Sequence, residues 1–226
     1  MKPTIEQLLQ QSNQLWRGRQ TQRARARRRS SGYRLLDQIL PEQGWPERGL
    51  MDIIHRHEGI GELQLLSPLM RACTLQKRWL VWVMPTYIPY PPALQAAGID
   101  LRYVLVIKPN DIKRQGVKVI EKCLLQPACG LVLLWDRHQR FKFSMSQLRR
   151  LQLAAETGVS LGVRFMDEAL HPSCAMLRLQ ITPQDKVDSQ TGQTRDRTLK
   201  VQILKARGHS RYHTTQIRVP LMSQFD

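Results

Sequence analysis

The sequence predicts an α/β protein with a mostly parallel sheet flanked by helices and with antiparallel strands at its C-terminal end. From residue 50 to residue 165, strand-like apolar runs alternate with segments of helical periodicity. The runs are continuously apolar, as in parallel strands that are covered on both faces. From residue 176 onward, apolar and polar residues alternate, which is typical of half-exposed antiparallel strands.

The first 29 residues divide into a short helix and a basic arm. Apolar side chains at helical spacing over residues 4–16 predict an amphipathic helix, which is too short to be stable unless it docks. Seven of the thirteen residues from 17 to 29 are arginine. Charge repulsion and a lack of apolar side chains predict that this arm is disordered on its own. We therefore expect one core domain over residues 30–226.

In the first part of the core, strands and helices are predicted to alternate regularly. A helix pattern follows Gly32, and Pro41 ends it. Pro68 predicts a kink in the helix that contains it. Strands are expected at 50–54, 79–84 and 103–107, all buried, and helices at 62–76, 93–97 and 110–126.

The second part of the core changes from parallel to antiparallel character. The apolar run 131–135 predicts a core strand, and 144–156 has a strong helical pattern that stops at Gly158. A further strand is expected at 159–165. The alternating segments 176–182, 198–206 and 215–219 are expected to form an antiparallel meander at the sheet edge.

Composition limits the cellular setting and the class of partner. The chain has 226 residues, 42% of them hydrophobic, and a net charge of +17. Such a charge favours a polyanion or an acidic protein surface as partner. The four cysteines form no CxxC pair, which is typical of buried thiols in a reducing compartment. We find no signal peptide and no apolar run of roughly 18 residues, so we expect a cytoplasmic protein without a membrane partner.

The stretch from Asp52 to Leu63 has the strand–loop–helix frame of a P-loop. A P-loop ends in Gly-Lys-Ser/Thr, whose lysine contacts phosphates and whose hydroxyl binds magnesium. Here Gly59 and Gly61 are followed by Glu62 and Leu63. A carboxylate repels phosphate and leucine binds no metal. The pattern therefore predicts a degenerate Walker A loop, with no nucleotide binding and no enzymatic activity.

Histidine and cysteine positions do not predict a metal or cofactor site. His55, His57 and Glu58 cluster, and His209 and His213 are four residues apart. Neither group has further ligands at zinc-like spacing, so we interpret them as surface histidines. We expect no cofactor.

Two kinds of segment are candidates for partner contacts. The arginines of the arm are expected to contact nucleic-acid phosphates without sequence specificity, with an acidic protein surface as the alternative. Tyr87 and Tyr90 lie in a stiff, proline-rich loop, and Trp16 ends the N-terminal helix. Such aromatics are enriched at interface hot spots, although the loop could equally pack on its own domain. The arm arginines are Arg17, Arg19, Arg23, Arg25, Arg27, Arg28 and Arg29.

The frame resembles the RecA core, and more specifically the ImuA family of RecA-like accessory proteins of a bacterial DNA-damage mutagenesis cassette. The resemblance covers residues 15–165. The motifs that carry it are Leu15-Trp16-Arg17-Gly18, Gly44-Trp45-Pro46, Gly59-Ile60-Gly61-Glu62-Leu63, Ile88-Pro89-Tyr90, Ala128-Cys129-Gly130 and Leu148-Arg149-Arg150-Leu151.

This resemblance implies a RecA-like P-loop-type core without ATPase activity. It also implies a role in SOS-induced translesion DNA synthesis, with the RecA filament and the polymerase-like ImuB as partners. Thr86 stands where RecA has its catalytic glutamate, and Asp136 is either a shifted Walker B acid or a strand-end cap.

Two alternative functions stay open from the sequence. The cell-division inhibitor family SulA shares much of the pattern, although its members are shorter and would not obviously need the basic arm or the long C-terminal segment. That resemblance implies FtsZ as the partner. The other alternative is an active NTPase with an unconventional loop.

Overall fold

In the computed structural model, an eight-stranded sheet forms the centre of the molecule. The structure describes residues 29–109, 111–136, 143–167, 173–184, 196–207 and 213–220. The strands are β1 Gly49–Ile54, β2 Trp79–Val83, β3 Val104–Ile107, β4 Cys129–Asp136, β5 Leu161–Met166, β6 Leu177–Pro183, β7 Asp196–Ala206 and β8 Thr214–Pro220.

Helices cover both faces of this sheet. One face packs against α1 to α3 and the other against α4 and α5, with a separate apolar core on each face. Within the described residues, no helix combines the length and the apolar character that crossing a bilayer requires. The helices are α1 Arg34–Ile39, α2 Glu62–Leu75, α3 Pro91–Ala96, a 3₁₀ turn Leu101–Tyr103, α4 Ile112–Leu125 and α5 Met145–Thr157.

The strand order is β3-β2-β4-β5-β1-β6-β7-β8. All pairings from β3 to β6 are parallel, whereas β6–β7 and β7–β8 are antiparallel. The predicted α/β class and the antiparallel C-terminal meander are therefore confirmed. The RecA-like P-loop core is a finer interpretation that the strand order does not establish by itself.

β1 lies inside the sheet, between β5 and β6. All six of its residues are buried, because neighbouring strands and helices enclose it on every side. This arrangement explains its continuous apolar sequence, which only Asp52 interrupts. The segment that follows β1 begins at the carboxyl edge of the parallel strands, which is where open α/β sheets bind ligands.

The expected burial of the strand at 103–107 is wrong. β3 is the last strand on its side of the sheet, and Leu105 and Val106 are exposed. An apolar run distinguishes a strand from a loop, but it does not determine the place of that strand in the sheet. α2 contains Pro68 and continues from Glu62 to Leu75 as one helix.

The predicted N-terminal helix 4–16 and the arm residues 17–28 lie outside the described residues. Arg29 is described, and it forms an isolated antiparallel bridge with Trp45. The backbone N–H of Trp45 donates to the Arg29 carbonyl at 2.7 Å. The structure thus places Arg29 against the core, although the sequence assigned it to the arm.

Candidate functional site

A cavity of about 870 Å³ opens at the carboxyl edge of the sheet, on the face covered by α1 to α3. Its walls come from the loop between β1 and α2, the first turn of α2, the loop after β2, α3 and the end of β4. A cavity of this size suits a drug-sized ligand or a few side chains of a partner.

The loop between β1 and α2 is held by backbone geometry that glycine favours. Gly61 precedes α2 with φ +110°, and a Cβ there would lie 3.1 Å from Val219 of β8. The N–H of Gly59 donates to Glu62 Oε1 at 3.2 Å, and Arg197 of β7 donates to the Gly59 carbonyl. The turn therefore fixes the Glu62 carboxylate at the first position of the helix, where the helix dipole favours an anion.

Aromatic side chains form much of the cavity wall. Trp82 of β2 and Trp135 of β4 stack with ring centroids 5.2 Å apart and an interplanar angle of 20°. Tyr87 and Tyr90, in the loop before α3, are 71% and 69% exposed. These rings present a largely apolar, concave surface to solvent.

Glu62 and Trp82 in the wall carry buried polar atoms that have no hydrogen-bond partner within the described part of the chain. These atoms are Glu62 Oε2 and Trp82 Nε1. Glu62 is 7% exposed, and Trp82 is 1% exposed. Two residues that line the cavity therefore hold an acceptor and a donor whose hydrogen-bonding capacity is unused, which is uncommon for buried groups.

Asp136 does not belong to this cavity. Its carboxylate lies 3.3 Å from Arg164 Nη1, within a buried ionic cluster on the other face of the sheet. Arg164 also contacts both carboxylate oxygens of Asp52 at 3.0 Å, and Ser173 donates to Asp52 at 2.5 Å. The interpretation of Asp136 as a shifted Walker B acid is therefore wrong, since its charge is used by an internal arginine.

The interpretation of His55 as a surface histidine is wrong, because its ring is buried directly after β1. His55 is buried at the end of β1, and its Nδ1 lies 2.8 Å from the His57 carbonyl. Across the described ranges, no group of three histidine, cysteine or acidic residues is arranged to hold a metal ion. His209 lies outside the described residues.

The four cysteines are free thiols, of which Cys73 and Cys129 are buried as expected, whereas Cys123 and Cys174 are half-buried. Burial raises the pKa of Cys73 to about 11, even though the nearby Arg78 and Arg29 oppose the shift. Cys73 is therefore a protonated thiol of the core at neutral pH.

The structure brings several sequence-predicted site residues into one place. Gly59 and Glu62 line the cavity together with Tyr87 and Tyr90, while Gly61 lies directly behind it. Thr86, which the RecA resemblance placed at the position of a catalytic glutamate, is also in the wall.

Other predicted residues are not brought to this place. Trp16 and the arginines from Arg17 to Arg28 lie outside the described residues, so their predicted roles stay predictions. Arg29 is half-buried near the other end of α2, beside Leu69 and Cys73. Burial and the neighbouring Arg78 lower its pKa.

Sequence reasoning missed Trp82 and Trp135. Both lie in apolar runs that were assigned to the core, and nothing local distinguishes an indole in a cavity wall from an indole in the interior. The useful signal would have been that each stands near the carboxyl end of a parallel strand, where ligand sites form.

The fold and the site define an α/β protein with an apolar surface cavity and a buried glutamate at the start of α2. A family model described as "Cell division inhibitor SulA" matches residues 49–162, slightly more than half of the chain. The chain belongs to the SulA family.

Individual relatives agree with this family. The chain is 28% identical over 142 residues to the cell division inhibitor SulA of Serratia proteamaculans, covering 59% of this chain and 79% of that protein. It is also similar to the crystal structure of SulA from Pseudomonas aeruginosa, with 19% identity, a TM-score of 0.41 and coverage of 52% of this chain and 98% of the other. A similarity at that TM-score adds no argument of its own.

These comparisons contradict the main functional expectation from the sequence. An ImuA-type accessory role in translesion synthesis, with RecA and ImuB as partners, is wrong, because the family model and the relative are both SulA proteins. The alternative drawn from the SulA resemblance is the one that they support.

Proposed function

We propose that this protein is a SulA-type cell-division inhibitor that acts by binding FtsZ and not by catalysis. The single observation that carries the proposal is the position of the cavity. Its loop, its aromatic wall and α3 all lie within residues 49–162, the segment that matches the family.

The chemistry of the cavity supports binding over phosphoryl transfer. Phosphoryl transfer depends on positive charge placed around the phosphates. The cavity has Glu62 at that position, and no lysine or arginine occurs among the described residues that line it. A RecA-like ancestry of the strand–loop–helix frame remains part of this proposal, as does a cytoplasmic location, where FtsZ would be met.

The exposed aromatic loop is the proposed contact surface. Tyr87, Ile88 and Tyr90 are each about 70% exposed and stand beside a concave apolar wall. Exposed apolar patches next to a pocket mark interaction sites, and tyrosine is enriched among residues that dominate binding energy.

We expect a double substitution, Tyr87→Ala with Tyr90→Ala, to weaken FtsZ binding at least tenfold. Removal of a hot-spot aromatic costs ~2 kcal/mol or more of binding free energy. Both side chains are exposed, so folding should change little, which circular dichroism would verify. Binding is measured by biolayer interferometry with purified FtsZ, and inhibition by sedimentation of FtsZ polymers.

The matched control is Leu153→Ala. Leu153 is 64% exposed on α5, which packs on the opposite face of the sheet. It should bind FtsZ as the unaltered chain does. If the unaltered chain neither binds FtsZ nor reduces its polymerisation, the proposed function fails. If the unaltered chain binds FtsZ and the double tyrosine variant binds it equally tightly, the function stands and the contact surface is elsewhere.

Nucleic-acid binding by the arm arginines stays a prediction. The net charge of +17 supports it, but the family gives it no support. An arm that contacts phosphates would show binding that weakens steeply with salt.

A further inference from the structure

We infer that the cavity accepts an arginine side chain from the partner protein, with Glu62 as the acceptor of its guanidinium. The inference rests on the proposed function for the identity of the partner. The chemistry of the occupant is argued independently from the cavity itself.

The local charge of the cavity favours a cationic ligand. The chain has a net charge of +17, so its surface generally repels cations. The cavity is an exception, because its described charged lining residues, Glu58 and Glu62, are both acidic. Arg197 contacts the carbonyl of Gly59, the residue that follows Glu58. Glu58 therefore lies near a positive charge, and Glu62 alone is taken as the acceptor.

Only one of the two carboxylate oxygens of Glu62 has a hydrogen-bond partner in the described part of the chain. One carboxylate oxygen accepts from the Gly59 N–H, which fixes the orientation of the group. The other oxygen is buried and has no hydrogen-bond partner in the described part of the chain. A guanidinium would satisfy that oxygen through a charge-assisted hydrogen bond, the strong kind of such bonds. Because the oxygen does not reach solvent, the Glu62 side chain must rotate as the ligand enters.

The aromatic wall of the cavity favours arginine over lysine. Arginine stacks on aromatic faces more readily than lysine does, since its guanidinium is planar and weakly hydrated. The exposed Tyr87 and Tyr90 offer such faces, whereas Trp135 already packs against Trp82 and Phe165.

The indole N–H of Trp82 favours a peptide over a simple cation. Among the described residues the buried Trp82 N–H has no acceptor, and only an acceptor can satisfy it. An arginine on a polypeptide brings both features, a cationic donor and neighbouring backbone carbonyls. An inorganic cation brings no acceptor, whereas a peptide-borne arginine carries a hydrogen-bonding group of each kind that these two atoms lack.

The test uses the full chain and two probes that differ in charge but hardly in shape. These are N-acetyl-arginine methylamide and its uncharged analogue N-acetyl-citrulline methylamide. Indole N–H signals are followed by ¹H–¹⁵N NMR, and the Trp82 signal is assigned with Trp82→Phe. We expect the arginine probe to shift the Trp82 signal and to bind at least tenfold more tightly than the citrulline probe.

The test variant is Glu62→Gln, which keeps the size of the side chain and removes its charge. We expect it to lose at least tenfold in affinity for the arginine probe while its spectrum remains that of a folded protein. The control is Glu121→Gln, because Glu121 pairs with Arg150 on the α4–α5 face and should not affect the cavity. Equal binding of both probes, or unchanged binding by Glu62→Gln, would overturn the inference.

The arginine probe and FtsZ report on different claims, so their results can be separated. If the arginine probe fails to bind while FtsZ still binds, the inference is wrong and the proposed function stands. The reverse pattern supports the cavity chemistry and removes FtsZ as the partner.

The arginine arm of the chain itself is a competing occupant of the cavity. The full chain with Arg17→Gln, Arg19→Gln, Arg23→Gln, Arg25→Gln, Arg27→Gln and Arg28→Gln tests this self-occupancy. If the probe binds only to this variant, the occupant is the arm, and assignment to a partner is overturned. Equal binding of the probe by this variant and the unaltered chain supports the assignment to a partner.

Discussion

Among single residues, Asp52 is a buried carboxylate that contacts arginines on both neighbouring strands. It is the one charged side chain in β1, and it contacts Arg164 of β5 with both oxygens. Arg178 of β6 approaches the same carboxylate at 3.1 Å. The carboxylate thus links three adjacent strands, and it is buried together with the charges that it neutralises.

We predict that Asp52→Asn lowers the free energy of unfolding by ~3–5 kcal/mol, because it leaves a buried arginine without its main counter-charge. Urea denaturation followed by circular dichroism measures the loss. Glu121→Gln is the comparison, since it removes a charge from an exposed pair worth at most about 1 kcal/mol. A loss for Asp52→Asn as small as that of the comparison would show that Asp136 alone suffices for Arg164.

Sequence reasoning could predict the acidic character of the site but not the use of each acid. Glu62 was recognisable because a P-loop requires lysine at that point. Asp136 was not assignable, since its partner Arg164 is 28 residues away in sequence and becomes a neighbour only when β4 and β5 pair.

At the level of secondary structure, α5 shows how local sequence can determine an element completely. Ser144 Oγ accepts from the Gln147 N–H, and the Gln147 side chain accepts in return from the Ser144 N–H. This capping box is visible in the sequence as Ser-x-x-Gln before an apolar period. Gly158 then ends the helix, and a Cβ there would lie 2.0 Å from the Leu124 carbonyl.

We predict that Ser144→Ala destabilises the protein by ~0.5–2 kcal/mol, the usual cost of losing an N-cap. Ser144→Asp should retain most of the stability, because aspartate also accepts from the free N–H groups. Thermal unfolding of both variants measures the difference. Equal losses in the two variants would mean that the hydroxyl has another role.

The edge strand β3 shows the limit of local pattern. Val104 to Ile107 is as apolar as the interior strands, yet one side of β3 has no neighbouring strand within the described residues. Strand order depends on which surfaces the helices cover, and this information is spread over the whole chain.

For the whole molecule, the loss of stability at alkaline pH follows from three weak acids, of which Cys73 is buried and Tyr33 and Cys123 are half-buried. Burial raises the pKa of Tyr33 to about 12, and the pKa values of Cys73 and Cys123 to about 11 each. Each group is neutral in the folded state and ionises more easily when unfolded. The stability that they contribute is therefore complete below pH 9 and is lost as the pH rises through the folded pKa values.

We predict that the free energy of unfolding decreases from pH 9 to pH 11, with Cys73 accounting for roughly 2 kcal/mol of the decrease. In Cys73→Ala this part of the pH dependence should disappear. Leu69→Ala is the matched control, because it also removes buried volume but no titrating group. Urea denaturation at several pH values gives the slopes. Identical slopes for Cys73→Ala and the unaltered chain would contradict the prediction.

The functional prediction failed at this same scale, and for an identifiable reason. The motifs that resembled ImuA span residues 15–165, and the SulA family model matches 49–162. The two families share the core pattern, so the choice depended on the arginine arm and the long C-terminal segment. Charge describes what a surface attracts and does not identify a family.

The contacts of β7 and β8 with the loop after β1 bear on where the chain can be cut. Both strands lie beyond residue 162, outside the segment that matches the family. Yet Arg197 holds the Gly59 carbonyl, and Leu199 and Val219 pack against Gly61. A minimal fragment for crystallisation or interaction screening must therefore extend at least to Pro220, because a fragment bounded by residues 49 and 162 would lose the support of its own binding loop.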